Sequence, residues 1–151
     1  MDQHKESINT QHFREAGINS IRDKKRSILL VEDYEPSIVM MTMFFEQLGY
    51  ECDAVKNGVD AFNMFCMSKY DLIIMDLQLP DIDGLEATRR IRLWEKEKTL
   101  EPTPIIAASA NSTDEDKMFC LKAGMNDCLA KPFQLDELEE ILEQWIPRIR
   151  N

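Results

Sequence analysis

From Ser27 onwards, short apolar runs take turns with longer segments whose apolar residues recur at helical spacing. The pattern predicts a strand over 27–31 and a helix that Pro36 opens, at a first-turn position where proline is tolerated, and that Gly49 closes. A short strand over 51–55, the Asn57-Gly58 turn and a helix over 59–68 follow. Next come a strand over 71–75, a loop over 76–83 containing Pro80, and a charged helix from Gly84 to about 98. A strand over 105–108 lies behind Pro102 and Pro104, and a helix capped by Ser112, Thr113 or Asp114 ends at Gly124. A strand over 128–130 runs into Lys131-Pro132, and an amphipathic helix carrying Leu135, Leu138, Ile141, Leu142 and Trp145 stops at Pro147. Five strands alternating with five helices imply an α/β doubly wound fold, a five-stranded parallel sheet with helices on both faces.

In open sheets of this kind a binding site lies beyond the carboxyl ends of the strands. The polar residues fall at those ends: Glu32 and Asp33 after the first strand, Asp76 after the third, Ser109 after the fourth and Lys131 after the fifth. Three carboxylates converging there would form a site for a hard cation. Each residue alone has a plainer reading: Asp76 as a loop or cap acid, Glu32-Asp33 as caps for the helix at Pro36, Ser109 as a small strand-end residue, Lys131 as a solvated lysine. Their joint placement is what outweighs those readings. Asp81 and Asp83 read as turn residues ahead of Gly84.

Composition and charge narrow the class. The 151 residues suit one domain with a proper core. Net charge is −10, which disfavours nucleic acid and anionic membrane as direct partners. Residues 1–26 carry six Lys/Arg and four Asp/Glu, a net of +2, which leaves −12 on the rest. That polar stretch reads as a flexible leader with a short helix near 12–18, and residues 27–151 as the folded domain. The leader's His4 and His12 read as solvated. No apolar run of 18 residues and no signal-peptide pattern is present, which points to a cytoplasmic protein without membrane insertion. Cys52, Cys66, Cys120 and Cys128 lack metal-type spacing and read as reduced packing cysteines.

Four stretches, Val31-Glu32-Asp33, Met75 to Gly84, Ala108-Ser109-Ala110 and Lys131-Pro132-Phe133, stand in order at strand ends. With them the chain resembles the receiver domain of two-component response regulators, a flavodoxin-like module, over about 27–146. Leu85 to Arg92 and Cys120 to Asp127 further resemble receivers of hybrid histidine kinases, which work in phosphorelays. The resemblance implies that Asp76 attacks phosphorus and becomes an aspartyl phosphate, with Mg²⁺ (or Mn²⁺) bridging the negative groups. Asp33, one oxygen of Asp76 and the Gln78 backbone carbonyl would be ligands, and Glu32 would act directly or through water. Lys131 and the Ser109 hydroxyl would engage the phosphoryl oxygens. Backbone N–H groups near Leu77 and Ala110 would add donors. The resemblance also implies a cis Lys131-Pro132 bond, an influence of Gln78 and Asn111 on the hydrolytic water, and a histidine kinase or histidine-phosphotransfer protein as partner. The protein is expected to be a monomer or weak dimer. It would catalyse no reaction beyond its own phosphorylation and dephosphorylation.

Two positions depart from that family. Cys128 stands three residues before Lys131, where most receivers carry an aromatic switch residue. The expectation is a fourth- and fifth-strand surface that responds weakly to phosphorylation, unless a small residue merely packs there. In the first helix, a core stripe of Met40, Phe44 and Leu48, with Phe45 beside it, leaves Ile38, Val39, Met41 and Met43 as surplus. They suggest a partner-docking patch centred on Ile38 with Val39 and Met41, unless a wider core or a dimer contact uses them. A haloacid-dehalogenase-like Mg²⁺ phosphatase is the enzymatic alternative. It would want an acid two residues past the nucleophile, where Gln78 stands. A partner-binding pseudo-receiver would usually lack Asp33, Asp76 or Lys131. Only Arg148–Asn151 lies beyond the last helix, so no output domain is expected, either in a stand-alone relay receiver or in a piece of a hybrid kinase.

Overall fold

The computed structural model describes residues 25–110 and 113–146. The elements in order are β1 (Ser27–Val31), α1 (Glu35–Leu48), β2 (Glu51–Val55), α2 (Gly58–Met67), β3 (Leu72–Asp76), α3 (Gly84–Glu97), β4 (Ile105–Ser109), α4 (Asp114–Ala123), β5 (Asp127–Ala130) and α5 (Leu135–Trp145). The strands form one sheet in the order β2-β1-β3-β4-β5, all pairs parallel. The order reverses direction between β1 and β3, which places a crevice above the carboxyl ends of those two strands.

Strand alternation sorts the core into two layers. Ile28 and Leu30 of β1, Leu72 and Ile74 of β3, and Ile106 and Ala108 of β4 face the layer covered by α1 and α5. Leu29, Val31, Ile73, Met75, Ile105 and Ala107 face the layer under α2, α3 and α4. Both faces being covered is why these strands are continuous apolar runs rather than alternating ones. Each fully buried Leu or Ile contributes about 1.5–3 kcal/mol, so the sheet centre is a rigid platform for whatever its ends carry.

Local chemistry sets the element ends. Asn57 accepts from the Asp60 N–H, Asp83 from the Glu86 N–H and Thr113 from the Asp116 N–H, each a side-chain cap. Gly49 closes α1 at φ 91°, a left-handed conformation that suits glycine.

The expected stripe on α1 is out of phase. Ile38, Met41 and Phe45 are buried, Phe44 and Leu48 pack at their edge, and Met40 and Met43 are exposed with Val39. The physical reason is tertiary packing: α1 is apolar nearly all round, and the face carrying Ile38, Met41 and Phe45, within about 60° of one another around the helix, is the one turned to Ile28, Leu30, Leu72 and Ile74 of the sheet. A docking patch centred on Ile38 and including Met41 is therefore corrected: both belong to the core, and of the three residues only Val39 is at the surface. The leader expected over 1–26 lies, apart from Lys25 and Arg26, outside the described residues, as do the Pro147 stop and Asn111.

Candidate functional site

Each site residue is delivered by a strand end. Glu32 follows β1, and its N–H still bonds the Val55 carbonyl of β2 at 2.9 Å, so its backbone is held as if in the sheet. Its side chain is only 2% exposed. One carboxylate oxygen accepts from the Tyr34 N–H at 3.1 Å and the other from Lys131 Nζ at 2.6 Å. Asp33, next along, is exposed. Asp76 is the last residue of β3 and 7% exposed. Its Oδ1 accepts from the Gln78 N–H at 3.0 Å, and its Oδ2 lies 3.6 Å from Lys131 Nζ.

Lys131 reaches into the same crevice. Its N–H bonds the Ser109 carbonyl at 2.8 Å, and the Lys131-Pro132 peptide is cis. Behind Asp76 the packing is tight. A Cβ on Gly84 would stand 2.4 Å from the Asp76 carbonyl oxygen and 3.1 Å from the Leu77 Cα, so α3 starts flush against the strand end.

Glu32, Asp33 and Asp76 each offer a carboxylate oxygen within 4.8 Å of one another. Three such oxygens and one ammonium are a donor set for a small hard cation and carry net charge −2 when ionised. Burial lifts the Asp76 carboxyl above its ordinary 3.8; the Gln78 N–H and Lys131 pull it down, and the Glu32 charge adds to the lift. A cleft of about 540 Å³ opens over these groups, lined also by Ser37, Gln78, Pro80, Ser109 and Ala110. The structure thus brings the strand-end residues Glu32, Asp33, Asp76, Ser109 and Lys131 to one crevice, and Gln78 lines it beside them.

Cys128 lies outside that crevice. It is half-buried, packs on the layer under α2, α3 and α4, and contacts the Cys120 thiol. Burial pushes Cys120 up to about 12, so that neighbouring thiol stays protonated. Sequence reasoning overlooked two contributors. One is the Tyr34 N–H on Glu32. The other is Asp81, whose two oxygens accept from the Gly58 and Val59 N–H groups at 2.8 and 2.9 Å. The signal for Asp81 was a helix start at Gly58 whose first N–H groups needed acceptors, but the acceptor lies 23 residues downstream.

Fold and site together define a doubly wound α/β module with an acidic, lysine-bearing crevice at its topological switch point. Residues 28–143 match the model of the response regulator receiver domain, and the chain belongs to that family. Hybrid signal transduction histidine kinase B of Dictyostelium discoideum is 40% identical over 124 residues, covering 77% of this chain. The chain spans 6% of that kinase's length and similarly small parts of other curated kinases it matches. Among solved structures, the receiver domain of the Pseudomonas aeruginosa sensor histidine kinase PA1611, with a magnesium ion coordinated in its active site cleft, is 42% identical. It has a TM-score of 0.73 and covers 82% of this chain and 99% of that one. The co-crystal structure of the Saccharomyces cerevisiae histidine phosphotransfer signaling protein Ypd1 with the receiver domain of its downstream response regulator Ssk1 matches at 33% identity. Its TM-score is 0.77, over 80% of this chain and 88% of the other. The chain is thus a response regulator receiver domain, and the phosphatase alternative is not favoured.

Proposed function

We propose that Asp76 accepts a phosphoryl group from a phosphohistidine donor in a Mg²⁺-dependent reaction. The observation that carries this reading is the Asp76 carboxylate in the crevice, 3.6 Å from Lys131 Nζ and with an oxygen within 4.8 Å of oxygens of Glu32 and Asp33. An Asp76 oxygen would attack phosphorus and the P–N bond to the donor imidazole would break, returning its electron pair to the ring nitrogen. The bound cation would offset negative charge between carboxylate and phosphoryl group. Asp33, Asp76 and the Gln78 carbonyl would hold it, with Glu32 contributing through water because its own oxygens already serve Lys131 and the Tyr34 N–H. Mn²⁺ would suit the same oxygen donors. Lys131 would shift toward the phosphoryl oxygens, and the Ser109 hydroxyl, at the cleft wall, would donate to one of them. Gln78 and Asn111 would set the lifetime of the product by controlling the water.

The donor would be a histidine kinase or a histidine-phosphotransfer protein, as in the Ypd1 complex of a relative. For docking, the corrected surface of α1 offers exposed Val39, Met40 and Met43. Beside them a mostly apolar groove of about 290 Å³ is lined by Met40, Met41, Pro132 and Phe133. An apolar helix laid there would bring its histidine to the crevice. With Cys128 packed inside, the β4–β5 side would change little on phosphorylation. Amide shifts with and without beryllofluoride check that; large changes across 113–130 would refute it.

The decisive measurement is Mg²⁺-dependent labelling by acetyl phosphate or beryllofluoride. Wild type should label, and Asp76→Asn should not. Labelling that persists in Asp76→Asn would overturn the assignment. A wild type that never labels would mark a partner-binding pseudo-receiver.

A further inference from the structure

The loop between β3 and α3 carries Gln78 at one end and Gly84 at the other. Its near end is fixed by the Gln78 N–H on Asp76, and its far end by the Gly84 N–H on the Leu77 carbonyl at 3.2 Å. Its middle is held from another element. The Asp81 carboxylate bridges the first two N–H groups of α2, Gly58 at 2.8 Å and Val59 at 2.9 Å. The third, Asp60, is served by Asn57 at 2.7 Å. Of these three orphan donors at the helix start, two are therefore satisfied by the active-site loop rather than by the local chain.

The contact is close-packed as well as polar. A Cβ on Gly58 would stand 2.4 Å from Ile82 Cγ1 and 2.8 Å from the Ile82 carbonyl oxygen, so the loop backbone lies directly on the helix terminus. A carboxylate there also meets the positive end of the α2 dipole, in keeping with the ionised form of Asp81.

We propose that Asp81 is a positioning residue that clamps the β3–α3 loop to the start of α2 and so fixes the Gln78 carbonyl and the Asp76 carboxylate for cation binding. The inference rests on the phosphoacceptor reading of the site and assigns Asp81 no contact with cation or phosphoryl group. Its force comes from geometry. Only Leu79 and Pro80 separate Asp81 from Gln78, so releasing the middle of the loop frees the orientation of a backbone carbonyl that has to point into the crevice.

Asn57 supplies the comparison that separates a clamp from a helix cap. Asn57→Ala and Asp81→Ala each remove capping bonds from the same helix, and each should cost about 1 kcal/mol of stability. Only Asp81→Ala releases the loop. Mg²⁺ titrations followed by amide shifts, with melting curves on the same samples, should show the Kd for Mg²⁺ raised roughly tenfold in Asp81→Ala, the low end for residues that act through a ligand. Asn57→Ala should leave that Kd unchanged. Asp81→Asn, which keeps one acceptor oxygen, should fall between. Equal Mg²⁺ affinity in wild type and Asp81→Ala would overturn the clamp alone, as would equal weakening in Asp81→Ala and Asn57→Ala. A wild type that binds no Mg²⁺ would overturn the phosphoacceptor reading and the clamp with it.

Discussion

Two polar clusters sit at opposite ends of the same sheet. At the amino-terminal end Glu95 of α3 is 3% exposed. One of its oxygens accepts from Arg92 at 2.8 Å and the other from the Thr103 N–H at 2.7 Å. Arg92 also donates to the Gly124 carbonyl at 2.9 Å and to Asn126 Oδ1 at 2.8 Å, and that oxygen takes the Ile105 N–H as well. One negative charge meets one positive, and the polar atoms are spent on joining α3, the start of β4 and the α4–β5 turn. At the carboxyl-terminal end three acids share one lysine, which stands 2.6 Å from Glu32 and 3.6 Å from Asp76. The first cluster is closed and holds the fold together. The second keeps unspent negative charge and an open cleft, which is what a cation and a phosphoryl group require.

The sharpest break in that comparison is chemical. Asp76→Asn should lower labelling by acetyl phosphate with Mg²⁺ at least a hundredfold, because the amide is no nucleophile. Glu95→Gln should leave labelling within a factor of two. Phosphate incorporation on intact protein, read by mass, checks both. A loss of labelling in Glu95→Gln without unfolding would mean that the two ends of the sheet are coupled.

Stability should respond in the opposite sense. Arg92→Ala leaves the Glu95 carboxylate buried with no counter-charge, and breaking such a pair costs about 3 kcal/mol, or roughly 10 °C in Tm for a domain of this size. Thermal melts of the metal-free protein test it. A drop under 2 °C would show that water reaches Glu95 and that the network is looser than its geometry implies.

The strand ends explain why most of the crevice could be read in advance. Glu32, Asp76, Ser109 and Lys131 each follow an apolar run, and in a parallel sheet the ends of successive strands converge whatever the loops do. Two things were not legible locally. The phase of α1 was one, because Ile38 to Phe45 offers apolar residues all round and only the packing of Ile38, Met41 and Phe45 on β1 and β3 selects a face. The closed cluster was the other. Glu95, Arg92 and Asn126 read as ordinary helix and turn residues, and their meeting depends on how α3 and the α4–β5 turn lie against the sheet. Asp81 shows the same limit: its partners are 22 and 23 residues away.

Cation binding should separate the clusters again. Mg²⁺ at a hundred times its Kd should stabilise the wild type by about 2.7 kcal/mol through binding to the folded state alone. Asp33→Ala should lose most of that gain while Arg92→Ala keeps it from a lower starting Tm. Melting curves against Mg²⁺ concentration give the answer. An undiminished gain in Asp33→Ala would remove Asp33 from the ligand set.

The smallest effect concerns the charge left over in the open cluster. The Asp76 carboxyl is lifted above 3.8 by burial and by Glu32, against the pull of the Gln78 N–H and Lys131. Such a group favours the folded state fully only while protonated, below the unfolded value of 3.8. That contribution fades as pH rises through the folded-state value, and above it the ionised carboxylate is a net cost. Asp76→Asn removes this cost. In EDTA, its Tm should therefore match that of the wild type near pH 4 and exceed it by a few degrees at pH 7, with the gap opening between those values. Adding Mg²⁺ at pH 7 should close or reverse the gap, because only the carboxylate gains from the cation. A gap that is constant with pH would assign the stabilisation to packing rather than charge, and would leave the Asp76 carboxylate no more strained than the paired Glu95.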